Sequence, residues 1–419
     1  MITTKLHKYL VKNYSAGIIK VFVVSALSLL SIPIVVNNIG LEMYGLLSII
    51  FIFSGIGGLI DFGTSKYLIV YLSGDGNHKS EAYTLSLFLS VAVIGLFGII
   101  YFLVTEAGYY DFESQIFKEY GENLFIYSIL LLLTSQLNLL NISVLESNFN
   151  AHIGNYSNVI YSGLASINTL ILSFFSDNLL YFILGILGAQ IVGLLFSLSN
   201  VYSRTSIRFS GISNINKKTF IIKSLAYFPQ SAISAALIPL NKFFIISLSN
   251  GLVLLGVFEI ALRIVVFSNN ILSIVSFPLM GIFSNAQMKT DHRKILIKSL
   301  SRTFTFYILG CSLFYFFSST VFSIINLKLI PELEIATFAM LLGFCLSGVF
   351  EPCVKLLMAR QKSFVLFWLR SITLILNVGF MYMVHAGALT WYLPLPIAVG
   401  IGAILIMLWV STRDSRSLV

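Results

Sequence analysis

The chain has 419 residues, of which 57% are hydrophobic and only 10% are charged, and its mean hydropathy is +0.92. A soluble globular protein has about 25% charged residues, so this composition excludes an ordinary soluble enzyme or binding domain. The formal net charge of +9 does not indicate nucleic-acid binding, because the basic residues lie in short loops and form no basic domain or stripe.

Apolar runs of about 20 residues recur along the whole chain, and each is long enough to cross a hydrocarbon core about 30 Å thick. Because the runs are long rather than short and alternating, they predict helices instead of a β-barrel. The first run follows Lys5, Lys8 and Lys12 and is not followed by a cleavage site, so a retained helix is predicted rather than a signal peptide.

The sequence therefore predicts an all-α, polytopic membrane protein. About twelve transmembrane helices are predicted, near residues 17–38, 45–71, 83–104, 123–146, 158–176, 179–201, 224–248, 254–282, 299–318, 335–358, 363–384 and 391–411. Prolines within the spans predict kinks, because each removes a backbone donor and clashes with the preceding turn. Pro229 and Pro239 both lie in the seventh span, which is predicted to be broken and bent.

The Lys and Arg residues outside the spans lie almost entirely in the two termini and in every second loop between spans. Only Lys118 and Lys328 lie in the remaining loops. Cytoplasmic loops of membrane proteins carry the excess of Lys and Arg. The distribution predicts that the N-terminus and the C-terminus are both cytoplasmic.

A polar loop at 202–223 is the longest break between spans and divides them six and six. It predicts an N-terminal six-helix bundle at 1–201, a cytoplasmic linker at 202–223 and a C-terminal six-helix bundle at 224–419. A short internal similarity accompanies this division, because GLEMYGLL (40–47) resembles GLVLLGVF (251–258). Parallel repeats are a known way to build transporters, although one match of this length is weak support.

Several ionisable residues lie inside the spans, where a charge costs roughly 2.5–3.5 kcal/mol on insertion scales. Glu259 and Arg263 are four residues apart in the eighth span, so they share a helix face and are predicted to pair. Arg263 is predicted to lie near the bilayer midplane. Lys242, in the seventh span, has no acidic neighbour in sequence, so we expect a buried partner or a wet cavity. A purely structural role, in which a neutralised pair holds helices together, stays open.

Further charges lie in other spans. Glu351 and Lys355 repeat the four-residue spacing in the tenth span. Lys20 lies near the cytoplasmic end of the first span, where snorkelling to lipid headgroups is the simpler interpretation. Asp61 lies in GGLIDFG, whose glycines allow a close helix approach or a hinge. Cations outnumber carboxylates within the spans, which indicates a cavity suited to an anionic ligand, because Arg and Lys hold phosphate well.

The sequence carries no motif for hydrolytic or redox chemistry. The five histidines lie in termini or loops without metal-ligand spacing, and the three cysteines form no CxxC pair. The Walker, GxSxG and HExxH motifs are absent from the sequence, so neither ATP-driven transport by this chain nor lipase-type catalysis is supported. We expect no enzyme activity, no cofactor and no metal site, while a coupling ion, H⁺ or Na⁺, stays open.

Two stretches resemble those of a known family. GLEMYGLLSIIFIFSGIGGLIDFGTSKYLIVYLSG (40–74) is similar to the opening of polysaccharide-export flippases, and NKFFIISLSNGLVLLGVFEIALRI (241–264) is similar to their segment with basic positions in the seventh and eighth spans. The region 319–380, which contains LNVGF, is similar to the late part of the same family. The chain thus resembles the Wzx-type oligosaccharide-lipid flippases of the multidrug/oligosaccharidyl-lipid/polysaccharide (MOP) exporter superfamily.

The resemblance implies two six-helix bundles around a central cavity, and alternating access. It implies that undecaprenyl-diphosphate-linked oligosaccharide repeat units move from the cytoplasmic to the outer leaflet of a bacterial inner membrane, for O-antigen, lipopolysaccharide or capsular polysaccharide biosynthesis. Membrane lipid, a polysaccharide polymerase and a chain-length regulator are the expected partners, and nucleic acid is not.

Lys242 and Arg263 match basic positions of the family, whereas Asn241 stands where an acidic residue is common. The departure at Asn241 argues against a strict proton-coupling role for this position. The residues expected to bind substrate are Arg263, Lys242, Glu259, Lys20, Asp61, Lys355 and Glu351.

Two other functions compete with this interpretation. A cation-coupled multidrug or small-molecule exporter of the same superfamily would want carboxylates in the first and seventh spans, and the sequence has none there. A membrane-embedded polymerase or glycosyltransferase would need a large outer loop, whereas the longest outer loop here has about 18 residues.

Overall fold

The fold is known from a computed structural model, and its described part is helical, with no strand in the ranges that follow. The structure describes residues 2–55, 61–73, 78–106, 115–148, 150–176, 178–248, 251–276, 292–324, 332–360 and 362–414, together with positions 279 and 283. The glycines at 57 and 58, part of the outer loop at 105–122, Pro278 and Lys328 lie outside these residues.

Helices α1 to α14 follow one another along the chain and are joined mostly by short connections, and α1 is itself broken at Gly40, whose φ of 82° and ψ of 163° are not helical. The helices are α1 (Ile2–Gly55), α2 (Thr64–Ser73), α3 (Lys79–Glu106), α4 (Gln115–Ser147), α5 (Ala151–Leu172), α6 (Leu179–Arg204), α7 (Lys217–Leu225), α8 (Phe228–Ile246), α9 (Gly251–Ser276), α10 (His292–Ile324), α11 (Leu333–Val349), α12 (Glu351–Ala359), α13 (Ser363–His385) and α14 (Pro394–Trp409). A π-helical turn, Val410–Asp414, ends the described chain.

The predicted fold class is confirmed, because every predicted span overlaps at least one of these helices. Among the described residues, nine helical segments are long and apolar enough to cross a membrane. One of them, within α10, is almost entirely exposed and presents Tyr315, Phe316 and Phe317 on its surface. Such an apolar surface suits contact with lipid chains rather than with water.

Three predicted spans are less regular than the sequence suggests. The second is interrupted by the turn at Asp61–Gly63, because Phe62 and Gly63 both have positive φ angles that a right-handed helix cannot contain. The predicted seventh span begins at a break, because α7 ends at Leu225 and α8 starts at Phe228, one residue before Pro229, whereas α8 continues through Pro239. The tenth is divided into α11 and α12, and Pro352 lies at the start of α12, where a missing N–H costs no hydrogen bond.

The chain forms two compact units, residues Met1–Leu46 with Ala236–Val419, and residues Leu47–Ala235. These boundaries differ from those of the predicted bundles at 1–201 and 224–419. That prediction is based on the position of the polar loop and on the short repeat. The division into six and six helices stays a prediction.

The polar segment 202–223 is packed against its own unit rather than extended as a free linker. Ile207, Ile215 and Phe220 are buried in an apolar core with residues of α2, α3 and α4. The carboxylate of Glu81 accepts hydrogen bonds of 2.9 Å from the backbone N–H groups of Asn214 and Ile215. This segment therefore has a fixed path across one end of α3.

Within the first unit, α1 and α9 cross at two glycines. A Cβ atom on Gly45 would lie 2.2 Å from the carbonyl oxygen of Leu252, and one on Gly256 would lie 2.6 Å from that of Leu41. Gly45 and Gly256 occupy the same position in the GLEMYGLL and GLVLLGVF stretches. The two similar stretches thus contact each other reciprocally, glycine to leucine in both directions.

Candidate functional site

Three charged side chains meet inside the first unit. The Lys242 Nζ lies 2.7 Å from Glu259 Oε2, and the Arg263 Nε donates a hydrogen bond of 3.2 Å to Glu259 Oε1. The side chains of Lys242, Glu259 and Arg263 are 4%, 7% and 20% exposed. One carboxylate therefore balances two cations, so these three largely buried side chains together carry one net positive charge.

The helices explain why these residues meet. Glu259 and Arg263 are one turn apart on α9, so both project from one face of that helix. Lys242 lies near the end of α8, which a short connection joins to α9, and its long side chain reaches the Glu259 carboxylate. We call Lys242, Glu259 and Arg263 the cationic cluster.

Two residues of α1 also contact Arg263, Ser28 before and Tyr44 after the break in the helix at Gly40. The Arg263 Nη1 donates a hydrogen bond of 3.1 Å to Ser28 Oγ, and its guanidinium carbon lies 5.7 Å from the centre of the Tyr44 ring. A guanidinium within about 6 Å of an aromatic face is attracted by the negative face of the ring. These contacts hold the guanidinium against α1.

The hydroxyl group of Tyr44 has no hydrogen-bond partner among the described residues, although Tyr44 is only 2% exposed. A buried, unpaired hydroxyl costs about 1–3 kcal/mol. It therefore marks a place beside Arg263 where a ligand oxygen or a water molecule would be stabilised.

Asn241 contributes no charge to the cluster. Its side-chain amide donates a hydrogen bond of 2.7 Å to the carbonyl oxygen of Leu237, one turn earlier in α8. The amide is thus turned back onto its own helix. The position where the resemblance expects an acidic residue is neutral and locally satisfied.

The other predicted site residues do not join the cationic cluster. Lys20 lies on α1, eight residues before Ser28, or about 12 Å along the helix axis. It has no ion-pair partner in the described part of the chain. Glu351 and Lys355 form the predicted pair within α12, at 3.1 Å, with both side chains partly exposed. Substrate binding by Lys20, Glu351 and Lys355 stays a prediction.

Asp61 lies in the second unit and has a local structural function. Its Oδ1 accepts hydrogen bonds from the Thr64 hydroxyl, the Ser65 backbone N–H and the Gln136 amide, at 2.7–3.0 Å. Its Oδ2 accepts a hydrogen bond of 2.6 Å from the Ser65 hydroxyl. The carboxylate therefore satisfies the first turn of α2, as helix-capping residues do. Its predicted role in substrate binding stays a prediction.

Sequence reasoning did not identify Ser28 or Tyr44 as site residues. Tyr44 lies in the GLEMYGLL stretch, which is one half of the short repeat and also the start of the stretch that resembles the flippases, but neither observation gives Tyr44 a role. Its aromatic hydroxyl, one residue before the predicted second span, is a signal that the sequence offers. Ser28 had no such signal, because single serines are common in membrane helices, where they bond to their own backbone.

No group of three or more His, Cys, Asp and Glu residues in the described ranges is arranged to hold a metal ion. The three cysteines are free thiols, and Cys345 and Cys353 are buried. The chemistry that the cationic cluster offers is the binding of an anion, because Arg and Lys donate charge-assisted hydrogen bonds to phosphate or carboxylate oxygens.

No protein-family model and no curated protein sequence matches the chain. Solved structures do match. A MOP superfamily transporter from Pyrococcus furiosus, described as having a binding pocket of reverse polarity that suggests a different function, has a TM-score of 0.75 at 17% identity. The match covers 97% of this chain and 96% of that one.

Multidrug transporters match over similar lengths. An outward-facing multidrug resistance transporter of the MATE family has a TM-score of 0.74 at 18% identity, covering 98% of this chain and 96% of its own. A variant of the MATE transporter VcmN from Vibrio cholerae has a TM-score of 0.74 at 15% identity, covering 99% of both chains. The chain therefore has the fold of the MOP superfamily transporters.

Proposed function

We propose that the protein is an alternating-access flippase for a polyprenyl-diphosphate-linked oligosaccharide in a bacterial inner membrane. The carrying observation is the cationic cluster, in which one carboxylate, that of Glu259, is shared by two cations. A buried site in which cations outnumber carboxylates suits an anionic cargo. The expected coupling ion, H⁺ or Na⁺, and the expected polymerase and chain-length regulator remain part of the proposal.

The cargo's diphosphate explains why such a cluster is needed. A diphosphate carries about two negative charges, and the transfer of an isolated charge into hydrocarbon costs tens of kcal/mol. The polyprenyl tail can stay among lipid chains, while the charged head requires cations and water along its path. Arg263 and Lys242 would supply those cations.

The contacts suggest a division of roles within the cluster. Arg263 presents several N–H groups in a rigid plane and would bind phosphate oxygens in pairs, whereas Lys242 would act as a point charge. The Tyr44 hydroxyl, which has no partner in the described residues, would donate to a further oxygen. Glu259 would hold both cations in the empty state and give way when phosphate replaces it.

A second candidate is a multidrug or small-molecule exporter, and the fold neighbours favour it at least as well. Inward-facing and outward-facing structures of multidrug resistance MATE transporters are both among the matches. Against it stands the absence of any carboxylate in the first and seventh spans of the sequence. An exporter of cationic drugs would need such groups to attract its cargo.

The deciding experiment measures flipping of a fluorescent undecaprenyl-diphosphate oligosaccharide in proteoliposomes, read as the fraction protected from an impermeant quencher. Arg263→Gln and Lys242→Gln should each lower the rate at least about tenfold, because each removes a charge-assisted hydrogen bond. Arg204→Gln is the matched control, since Arg204 is exposed at the end of α6 and, within the described part of the chain, bonds only to Asn200. Its flipping rate should equal that of the wild type.

Full flipping by both cluster variants, at equal protein levels, would refute the role of the cluster. Transport of cationic dyes by the wild-type protein, without movement of the lipid-linked oligosaccharide, would establish the second candidate. Restoration of surface polysaccharide in a flippase-deficient bacterial strain supplies an independent test in cells.

A further inference from the structure

A small cavity lies within the second unit, between α4, α5 and α6. Most of its lining surface is apolar and includes Leu139 and Ile142, and polar side chains border the rest. Its volume is about 100 Å³. Its polar lining consists of Thr134, Ser135, Asn138, Asn158, Tyr161 and Gln190. The side chains of Thr134, Ser135, Asn158 and Tyr161 are only partly buried, so the cavity is reached from the surface of the unit.

Helix geometry brings these side chains together. Thr134 and Asn138 are one turn apart on α4, and Asn158 and Tyr161 are three residues apart on α5, so each pair shares a face. Gln190 is the twelfth residue of α6, about 17 Å along its axis. That depth lies near the middle of a membrane span, where polar side chains are costly unless they have partners.

Part of the lining forms a fixed hydrogen-bond network. The Thr134 hydroxyl donates to Gln190 Oε1, and the Gln190 amide donates to the Tyr161 oxygen at 3.1 Å. The Ser157 hydroxyl donates to Asn138 Oδ1, also at 3.1 Å. These bonds orient the lining without the help of any ligand.

The network leaves hydrogen-bonding capacity at the cavity. Among the described residues, neither the carboxamide of Asn158 nor the NH₂ group of Asn138 has a partner, and the Tyr161 hydroxyl only accepts. An amide can donate two hydrogen bonds and accept two, and a phenol can donate one. The cavity thus offers several donors and acceptors to one bound group.

The character of the lining selects the class of ligand. All six polar side chains are uncharged, so the cavity offers no charge to a diphosphate or to a metal ion. A volume of about 100 Å³ has room for a few water molecules. That space accommodates a hydroxymethyl or acetamido substituent, though not a whole sugar ring.

We propose that this cavity binds a neutral hydroxyl-bearing or acetamido group of a saccharide, and so contributes to the choice of cargo sugar. The proposal rests on the proposed function for the source of the saccharide. The Asn158 and Asn138 amides pair with the substituent, and the Tyr161 hydroxyl donates to its oxygen. Recognition of the sugar is thereby separate from recognition of the diphosphate.

Saturation-transfer NMR on the protein in nanodiscs tests this binding with two uncharged probes, methyl N-acetyl-β-glucosaminide and methyl β-glucopyranoside. At least one probe should receive saturation from the wild-type protein. Asn158→Leu should raise the dissociation constant roughly three- to tenfold, because the loss of one hydrogen bond weakens binding by about that factor. Because Asn158 has no partner in the described chain, this variant should fold normally, and thermal unfolding checks that it does.

The matched control is Asn168→Leu, on the same helix. The Asn168 amide donates to the Gly185 carbonyl oxygen at 2.8 Å, and Asn168 does not line the cavity. This variant should lose some stability and keep glycoside binding. The proposal is overturned if neither probe receives saturation from the wild-type protein, or if the wild type and Asn158→Leu bind equally. Either result makes the cavity a hydration site.

A third variant separates this inference from the proposed function. Arg263→Ala should bind the methyl glycosides as the wild type does, since Arg263 lies in the other unit, and should lose binding of undecaprenyl diphosphate. Retained binding of the lipid by Arg263→Ala would refute the diphosphate site and leave the saccharide cavity standing.

Discussion

The Glu259 carboxylate determines the charge balance of the cationic cluster. It lies between Lys242 and Arg263 and forms an ion pair with each of them. Removing one member of a buried ion pair is costly, because the remaining charge has already lost its water. The cluster is therefore stable as a triad and poorly stable without its carboxylate.

Glu259→Gln should lower the free energy of unfolding by about 3 kcal/mol, because two buried cations lose their shared counter-charge. Added inorganic diphosphate should recover part of this loss, and should raise the thermal unfolding midpoint more in the variant than in the wild type. Glu351→Gln is the control: its pair with Lys355 is partly exposed and should contribute less than about 1 kcal/mol. A Glu259→Gln protein as stable as the wild type would contradict the triad.

Tyr44→Phe should leave the stability unchanged or raise it, because it removes a buried hydroxyl that has no partner in the described chain. The affinity for undecaprenyl diphosphate should fall roughly three- to tenfold, since one donor to the phosphate is lost. Tyr83→Phe is the matched control, because the Tyr83 hydroxyl donates to Asn141 Oδ1 at 2.6 Å. That variant should lose stability and keep its affinity. The opposite pattern would show that the Tyr44 hydroxyl is structural.

Among the charged residues, the sequence predicts the pairs that lie on one helix. The spacing pairs Glu259 with Arg263, and likewise Glu351 with Lys355, and both pairs are present. The sequence does not assign the partner of Lys242, because Glu259 lies on another helix. The length of the connection between the two helices does not determine which of their side chains come within bonding distance. Ser28 and Tyr44 escape prediction for the same reason: they approach Arg263 from α1, far away in the chain.

The crossing of α1 and α9 depends on the absence of two side chains. Gly45 and Gly256 each meet a backbone carbonyl group of the facing helix at distances that no Cβ atom tolerates. Small residues permit this close approach in membrane helices, where van der Waals packing replaces the hydrophobic effect as the main attraction. The crossing also holds Tyr44, the residue before Gly45, beside Arg263.

Gly45→Ala should destabilise the protein by about 1–3 kcal/mol, because the helices must separate to accept the methyl group. The shift of α1 should also weaken lipid binding by displacing Tyr44. Gly95→Ala serves as the control, since Gly95 lies in α3 and a Cβ atom there would have no neighbour within 4 Å, so alanine should stabilise the helix by up to about 1 kcal/mol. Thermal unfolding in detergent measures both, and an unchanged midpoint for Gly45→Ala would contradict the crossing.

The interruption of the second span shows what the apolar pattern alone misses. Residues 45–71 are continuously apolar enough to predict one helix, yet the chain turns at Asp61–Gly63. The turn is stabilised by Asp61, whose carboxylate satisfies the first donors of α2, and by the positive φ of Gly63. Hydrophobic periodicity does not predict such a turn, because only one carboxylate and one glycine in the sequence indicate it.

At the scale of the whole molecule, the helical fold class follows from hydropathy, because lipid requires every backbone group to be bonded within a helix. The number of about twelve spans stays a prediction, since nine helical segments of the described residues are long and apolar enough to cross a membrane. The grouping of helices into units does not follow, since it depends on which apolar faces contact one another. The segment 202–223 illustrates the difference. Its polar composition predicts a linker, whereas Ile207, Ile215 and Phe220 anchor it in the core of its unit.

The orientation in the membrane is the property of the whole molecule that the charges predict most directly. The segment 202–223 is rich in Lys and Arg and should be cytoplasmic, and the loop between α13 and α14 should be outside. Ser213→Cys and Ala388→Cys place an exposed thiol on each. Cys345 and Cys353 are buried and should not react, and Cys311→Ala removes the partly exposed native thiol.

An impermeant maleimide added to intact cells should label Ala388→Cys and leave Ser213→Cys unlabelled until the membrane is permeabilised. After permeabilisation both variants should react fully, which shows that both thiols are accessible in the folded protein. The reverse pattern would place the termini outside and would invert the proposed direction of flipping. Under the proposed function the lipid-linked cargo starts in the cytoplasmic leaflet, so with the predicted orientation it would enter the protein from the Lys- and Arg-rich side.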